Sequence, residues 1–413
     1  MTRKMWWYNI GIFLYSVGIH LAAPWNRKAR LWIEGRKGIF DRMRAAIGPD
    51  DRVIWFHAAS LGEFEQGRPL MERIRVEKPE YKILLTFFSP SGYEIRKDFK
   101  GADWVFYLPT DRPGRVRRFL DAAHPEIAVF IKYEFWLNYL RALGRRGIRT
   151  YLISSIFRRD SAFFKPWGGA FRRALGVFDT LFVQNEESRK LLAEIGVDRV
   201  QIAGDTRFDR VAAIASEKKN IACIGEFTEG HKVFVAGSTW PPDEEVLAEV
   251  IRRHPDMRFI VAPHEMSAER LRAMKAVLDG DSVRYTDCIA GNRVPPSSRV
   301  MIIDTFGILS SVYGYGDYAY VGGGFGVGIH NILEAVAFGL PVAFGPNYGR
   351  FREACDLIQR GVAASVAGGG ELDDWLIRFA GDPVATGQVR RSALQYIEEN
   401  KGAAEKIMQA LFE

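Results

Sequence analysis

The chain has 413 residues, 47% hydrophobic and 26% charged, which excludes a disordered protein and leaves room for two domains that each bury a core without disulfides. Its three cysteines, Cys223, Cys288 and Cys355, are far apart with no C-x-x-C, so they signal neither a zinc site nor a disulfide framework and suit a reducing compartment. The net charge of +7 is uneven: Met1–Arg210 carries 37 Lys+Arg against 24 Asp+Glu and the remainder 20 against 26, so the first half either attracts an anionic partner (a phospholipid surface, a phosphorylated substrate, a nucleic acid) or presents a solvated basic surface.

Met5 to Pro24 is mostly apolar, close to the roughly 20 residues that span a bilayer. Arg3 and Lys4 precede it, Arg27, Lys28, Arg30, Arg36 and Lys37 follow, and Trp6, Trp7, Tyr8 and Trp25 sit near its ends as interfacial aromatics do. Residues 1–40 therefore read as a hydrophobic membrane-anchor helix with a basic flank, spanning the bilayer or lying in its interface, with the body on the cytoplasmic side. Asn9 and His20 keep a buried N-terminal helix open. A cleaved signal peptide is disfavoured, because the small-residue cleavage site is poor.

From Asp51 short apolar runs alternate with amphipathic stretches. Strands are predicted at Val53–His57, Ile83–Phe87, Trp104–Tyr107, Ile127–Ile131, Thr150–Ile153, Thr180–Val183 and Val200–Ile202. Helices are predicted at Phe64–Arg75, Pro113–Ala122, Phe135–Leu143 and Glu187–Ile195. The polar stretch 212–230 reads as a linker between a domain of residues 41–211 and one of 231–413. The second domain repeats the pattern with strands at Val233–Ala236, Phe259–Val261, Val300–Ile303, Tyr318–Val321 and Val342–Phe344. Its helices are expected at Glu244–Arg253, Ala268–Leu278, Asn331–Phe338 and Phe351–Arg360. A last helical stretch, Val389–Leu411, is expected to pack back toward the first domain. Such alternation implies α/β domains, each a parallel sheet covered on both faces, with ligands at the strands' C-terminal edges and a cleft between them.

Five motifs carry chemistry. His57-Ala58-Ala59-Ser60-Leu61-Gly62-Glu63 follows a strand and opens a helix, where small residues and N–H groups admit an anion. Glu63 there either takes a proton from an attacking hydroxyl or complements the helix dipole. Lys132 to Asn138 lies at another strand–helix junction, with Glu134 and Asn138 on one helical face if the helix starts there. They form either a polar wall of the site or a capped helix with a packed Trp136. Gly322 to Asn331 is a glycine-rich loop between strand and helix, suited to cradling a phosphate on backbone N–H groups, with Glu334 placed for ribose hydroxyls. It matches neither a P-loop nor a dinucleotide fingerprint. Pro263-His264-Glu265 and Gly237-Ser238-Thr239 close two further strands of the same domain, where His264 reaches a nucleotide or serves the fold.

Together these segments resemble the 3-deoxy-D-manno-octulosonic acid (Kdo) transferases. The matching stretches, in order, are His57–Glu63, Ser89-Pro90-Ser91-Gly92, Tyr107-Leu108-Pro109 with Asp111, Glu134–Asn138, Gly204–Asp209, Ala236–Thr239, Pro263-His264, Asp304–Gly307, Gly322–Glu334, Gly339–Val342 and Phe344–Pro346. The resemblance implies a GT-B fold of two Rossmann-like domains facing a central cleft. It implies transfer of Kdo from CMP-Kdo to a phosphorylated lipid A precursor in lipopolysaccharide synthesis, at the cytoplasmic face of the inner membrane. By it, Glu63 is the general base of an inverting reaction that needs no metal or other cofactor. Ser60, Gly62, Glu134 and Asn138 serve the acceptor. Ser238, Thr239, Pro263, His264, Gly323, Gly324, Gly326, Gly328, His330, Asn331 and Glu334 serve the donor. Two departures stand out: Pro263-His264 lacks the basic residue that many members place between them, and Lys132 replaces the first of two acidic residues before Trp136. The basic half gains a reason in the phosphorylated acceptor and the anionic membrane, with Arg27–Arg30, Arg115–Arg118, Arg158, Arg159, Arg172 and Arg173 as candidate contacts. No nucleic-acid motif accompanies the charge, so no nucleic-acid partner is expected. The alternatives are another GT-B glycosyltransferase or an epimerase using a UDP-sugar, a two-domain binder without chemistry, or an inactive membrane scaffold.

Overall fold

The computed structural model describes residues 5–217, 219–278, 282–291 and 293–413, so the predicted flanking residues Arg3 and Lys4 lie outside the described residues. The chain forms two compact units, Met1–Arg210 with Lys401–Glu413, and Val211–Asn400.

The first unit holds seven strands: β1 (Arg52–Ala58), β2 (Tyr81–Phe87), β3 (Trp104–Tyr107), β4 (Ile127–Ile131), β5 (Arg149–Ser155), β6 (Thr180–Val183) and β7 (Val200–Ile202). They form one parallel sheet in the order β3-β2-β1-β4-β5-β6-β7. The central strands are buried along nearly their whole length, which explains why they read as unbroken apolar runs rather than as alternation. Trp55, Ala128 and Phe130 belong to the core on one face of this sheet, Ile54, Phe56, Val129 and Ile131 to the core on the other.

The second unit has β8 (Val233–Thr239), β9 (Arg258–Pro263), β10 (Val283–Arg284), β11 (Val300–Ile302), β12 (Tyr318–Val321), β13 (Val342–Phe344) and β14 (Ala363–Ser365), again all parallel, ordered β10-β11-β9-β8-β12-β13-β14. The edge strands β10 and β14 were not predicted: unlike the equally short β11 and β13, they carry no run of fully buried residues.

The helices that shape the first unit are α1 (Trp6–Ala22), α2 (Arg27–Glu34), α3 (Ile39–Ala46), α4 (Leu61–Glu77), α5 (Pro90–Arg96), α6 (Pro113–Ala123) and α7 (Leu137–Arg146). Among the described residues no helix is long and apolar enough to cross a membrane. Helix α1 is docked on its own unit by partly buried polar bonds. Tyr8 Oη donates to Asp111 Oδ2 at 2.6 Å, and Asn138 Nδ2 donates to Asn9 Oδ1 at 2.9 Å. Asn9, the residue that counted against a spanning segment, is thus used to fasten the helix.

The predicted linker 212–230 is partly helical: Thr206–Ser216 runs into it and Ile224–Thr228 lies within it. The predicted helix Val389–Leu411 is two helices, Pro383–Asn400 and Ala403–Phe412, broken at Gly402, whose φ of 101° favours glycine. Asp209 accepts from the amides of Gly402 and Ala404 at this break. Beyond it Ala403, Ile407, Met408 and Leu411 join the core under α4 in the first unit.

Candidate active site

In an open parallel sheet the crevice for a ligand opens where neighbouring strands send their chains in opposite directions. In the first unit that point lies between β1 and β4. The His57–Glu63 motif leaves β1 there, and the Lys132–Asn138 motif leaves β4. Two segments 70 residues apart in sequence are thereby adjacent at one sheet edge.

Ser60 is extended and precedes α4, and Glu63 lies in its first turn. The Glu63 carboxylate accepts from the Ala59 amide at 2.5 Å, turning back over the helix start. The dipole-complementing role and the exposed chemical role are therefore held by the same group. Glu63 is half-buried, and its pKa is pushed up to about 7, first by burial and then by the charge of Glu134, against the opposing pull of the Ala59 amide and of Lys132. Lys132, where an acidic residue was the family expectation, is a positive charge next to this carboxyl group. It sits at φ 62° immediately after β4, a conformation that costs a non-glycine residue about a kcal/mol or more and is found at functional turns. Gly62 is exposed, and an added Cβ there would meet nothing within 4 Å, so its backbone does not require glycine for space.

Glu134 is buried. His57 Nε2 lies 3.0 Å from its Oε2, and Trp136 Nε1 donates to the same oxygen at 2.6 Å. His57, fully buried, has Nδ1 2.9 Å from Thr86 Oγ1 and 3.1 Å from the Thr86 carbonyl. The acidic side chain is thus fixed from two sides in a dry setting, where its field acts on Glu63 with little screening. Asn138 does not stand beside it. Helix α7 starts at Leu137, so Glu134 precedes the helix, and both amide hydrogens of Asn138 go to Asn9 and to the Asp111 carbonyl. Both of its amide hydrogens thus serve the docking of α1. Asp111, named only as a family match, is the centre of that arrangement. It accepts from Tyr8, from the amides of Asn138 and Tyr139, and burial raises its pKa to about 6.

The second unit repeats the geometry. Its strand order turns between β8 and β12, and the Gly237–Thr239 and Gly322–Asn331 motifs leave these two strands. The Gly322 amide donates to the Gly237 carbonyl at 2.9 Å, and an added Cβ on Gly322 would fall 2.4 Å from the Ser238 carbonyl oxygen. Gly324 lies equally close to the backbone of Gly345. Ser238 has a φ of 55°. The glycines therefore let two strand ends touch. Several amides predicted to cradle a phosphate are used internally: Gly323 donates to Asp243, Gly326 and Gly328 to the Gly323 carbonyl, and His330 to the Gly322 carbonyl.

Above this loop three rings stack. His264 lies 4.8 Å from Trp240 and 4.3 Å from His330, and Trp240 Nε1 donates to His330 Nε2 at 3.0 Å. That bond needs an unprotonated His330 nitrogen, and burial with the neighbouring His264 lowers the His330 pKa to about 4. Thr239 is buried and donates to Glu244, and Pro263 ends β9 buried. Asn331 Nδ2 donates to Glu334 Oε1 at 3.1 Å, leaving Asn331 Oδ1 buried with no hydrogen-bond partner among the described residues. Sequence reasoning missed Trp240 and Asp243. Asp243 accepts from the Trp240 amide, Tyr320 Oη and the Gly323 amide. The signal was present as Trp-Pro-Pro-Asp, two prolines and an acid opening a helix directly after a strand.

Some candidate basic contacts are engaged in the fold. Arg159 pairs with Glu194, and Arg172 donates to the carbonyls of Phe163 and Lys165.

Two parallel-sheet Rossmann-like domains, each with its conspicuous motifs at the turn of strand order, define a two-domain α/β protein of GT-B-like fold. Known structures agree on the fold. A UDP-GlcNAc 2-epimerase from Neisseria meningitidis aligns with a TM-score of 0.62 at 14% identity, over 87% of this chain and 99% of that one. A 2-epimerase from Listeria monocytogenes aligns at 0.59 and 14%, over 87% and 96%. The sequence comparisons are more specific. Residues 33–210 match the family model described as 3-deoxy-D-manno-octulosonic-acid transferase. The transferase of that name from Bordetella pertussis is 27% identical over 97% of this chain and 99% of its own length, and that from Aquifex aeolicus is 28% identical over 71% and 76%. The chain is thus similar to Kdo transferases over almost its whole length, which supports glycosyltransferase activity.

Proposed function

We propose that this chain moves Kdo from CMP-Kdo to a hydroxyl of a phosphorylated lipid A precursor in lipopolysaccharide synthesis, with Glu63 as the base. The observation that carries the assignment of the base is the Glu63 carboxyl, half-buried at the sheet's turning point, with a pKa of about 7. A base matched to neutral pH is both ionised enough and basic enough to take the proton. The hydroxyl oxygen attacks the anomeric carbon as its proton passes to Glu63. The bond from that carbon to the CMP phosphate breaks, and CMP leaves with the electron pair, so configuration inverts. Glu134, held by His57 and Trp136, keeps Glu63 basic, and Lys132 offers a positive charge beside it. Ser60 and Gly62 border the acceptor. In the second unit the His264–His330 stack, Ser238, Thr239 and the Gly322–Glu334 segment receive CMP-Kdo, with the unpartnered Asn331 carbonyl as a polar contact. No metal has a part in this reaction.

The docked helix α1 exposes Trp6, Trp7, Phe13, Leu14 and Leu21, and Trp25 beyond it is 87% exposed. A helix fastened to its domain on one side and apolar on the other suits a position in the plane of an anionic membrane, here the cytoplasmic face of the inner membrane.

The test is to incubate the protein and its Glu63→Gln variant with freshly made CMP-Kdo and a phosphorylated, acylated lipid A precursor, with and without a chelator, and to weigh the acceptor. A gain of whole Kdo units with the wild type in both conditions, and none with the variant, is expected. No gain under conditions where a known Kdo transferase works refutes the donor and acceptor. Turnover of UDP-sugars instead would move the chain to the epimerase reading.

A further inference from the structure

Beside the β1–α4 loop the first unit has a groove of about 420 Å³, formed by Tyr15, Gly18 and Ile19 of α1, Ala29 and Trp32 of α2, and Phe88 after β2. That size is within the range that takes a small ligand. Its walls are fixed. The Tyr15 and Phe88 rings stack at 6.0 Å, and the Trp32 ring meets Phe88 edge-on at 5.9 Å. The buried Arg36 guanidinium donates to the carbonyls of Trp32, Phe88 and Leu108, tying α2 to the loops after β2 and β3.

Two continuities show what it fits. At one side the groove shares α1 with the exposed apolar face of Leu14 and Leu21. At the other its floor is bonded to the catalytic loop: the Phe88 amide donates to the Ala58 carbonyl, the Ser89 amide to the Ala59 carbonyl at 2.8 Å, and the Ala59 amide holds Glu63. Phe88 also lies 4.5 Å from Trp136, which holds Glu134. Lys28 lines the groove, with Arg27 and Arg30 on the same helix. An apolar slot between an apolar helix face and the base, bordered by positive charge, matches one hydrocarbon chain of an anionic lipid whose head is being glycosylated.

We propose that this groove is a binding site for one acyl chain of the lipid acceptor, drawn from the bilayer so that the head lies at Glu63; the inference rests on the transferase reading above. It predicts that the enzyme distinguishes acylated from deacylated acceptors through KM.

An added Cβ on Gly18 meets nothing within 4 Å, so a Gly18→Trp side chain can enter the groove without disturbing the fold. Gly11 on the same helix is equally unhindered and lies outside the groove, which makes Gly11→Trp the matched control. Wild type and both variants are assayed with the acylated acceptor in detergent micelles and with its fully deacylated, water-soluble counterpart. Binding to acceptor-free vesicles of phosphatidylethanolamine and phosphatidylglycerol is measured by co-sedimentation, and association state by analytical ultracentrifugation. Since the indole would fill the space that the acyl chain takes, Gly18→Trp should raise KM for the acylated acceptor at least about tenfold. It should leave kcat, the deacylated reaction, vesicle binding and association state as in the wild type, and Gly11→Trp should change none of them. An unchanged KM overturns the proposal. So does an equal loss with the deacylated acceptor, a parallel loss of vesicle binding (a phospholipid contact instead), or a change in association state (a second copy instead). A wild type that modifies neither acceptor refutes the transferase reading itself, a distinct result.

Discussion

Replacing Glu134 with Gln should move the pH dependence of transfer to lower pH. Glu63 stands at about 7 rather than its ordinary 4.5 because it is buried and, second, because Glu134 is charged nearby. Gln keeps the volume and an oxygen that can accept from Trp136 Nε1, now 2.6 Å from the carboxylate. What is lost is the like charge, worth on the order of one pH unit in a partly dry site, or ~1.4 kcal/mol. Burial is the larger cause, so the limb stays well above 4.5. The assay is kcat/KM for the acceptor across about pH 5 to 9, which reports the base in the free enzyme. Wild type should rise through about 7 and level off, and Glu134→Gln should rise about one unit earlier. A limb that stays in place or moves upward refutes the electrostatic coupling. A limb that survives in the residual activity of Glu63→Gln, itself expected to be down by roughly 10²–10⁴, shows that another group is titrating.

Glu63→Gln should also stabilise the protein at alkaline pH. A carboxyl whose folded pKa is raised contributes stability that is full below about 4.5 and lost as pH rises through about 7, so removing the charge should gain about 2 kcal/mol at pH 8 and nothing near pH 4. Paired thermal melts at the two pH values check this, and a gain that is equal at both is inconsistent with it. Tyr8→Phe removes one of three donors from buried Asp111 and should cost about 1–2 kcal/mol, with faster amide exchange along α1; unchanged exchange would mean that α1 is not held by this bond. Gly324→Ala places a Cβ 2.5 Å from the Gly345 amide nitrogen and should destabilise the second unit by at least about 2 kcal/mol, whereas Gly326→Ala, whose nearest neighbour is at 3.9 Å, should cost under about 0.5. Equal effects in melts of the two variants would contradict the close packing of that loop.

The sheets were legible because every central strand is buried on both faces and so appears as a short apolar run between amphipathic stretches. The short edge strands lack that signal. Glu63 and the glycine loop were legible because a strand, small residues and a helix start follow each other in sequence. The shared helical face of Glu134 and Asn138 was conditional on a helix beginning by Phe135. It begins two residues later, and its first turn is taken up by Asp111. Asp111 also binds Tyr8, 103 residues away, and Asp243 binds Tyr320, 77 residues away, and no local pattern encodes those two contacts. The N-terminal helix was read as apolar, with Asn9 and His20 keeping a buried helix open; the partners that dock it, Asp111 and Asn138, lie more than 100 residues away and no local pattern names them.

That docking links two properties that the sequence presents separately. Asp111 takes Tyr8 of α1 with one carboxylate oxygen, and the same oxygen accepts the Asn138 amide at the start of α7. The segment entering α7 carries Glu134 and Trp136, and Trp136 packs on Phe88 in the groove floor. The apolar helix, the groove and the acidic pair are thereby built on one rigid set of buried bonds within a single unit. The bonds that hold α1 thereby also hold the turn that carries Glu134, whose charge acts on Glu63, and reaction rates are steeply sensitive to the placement of such groups.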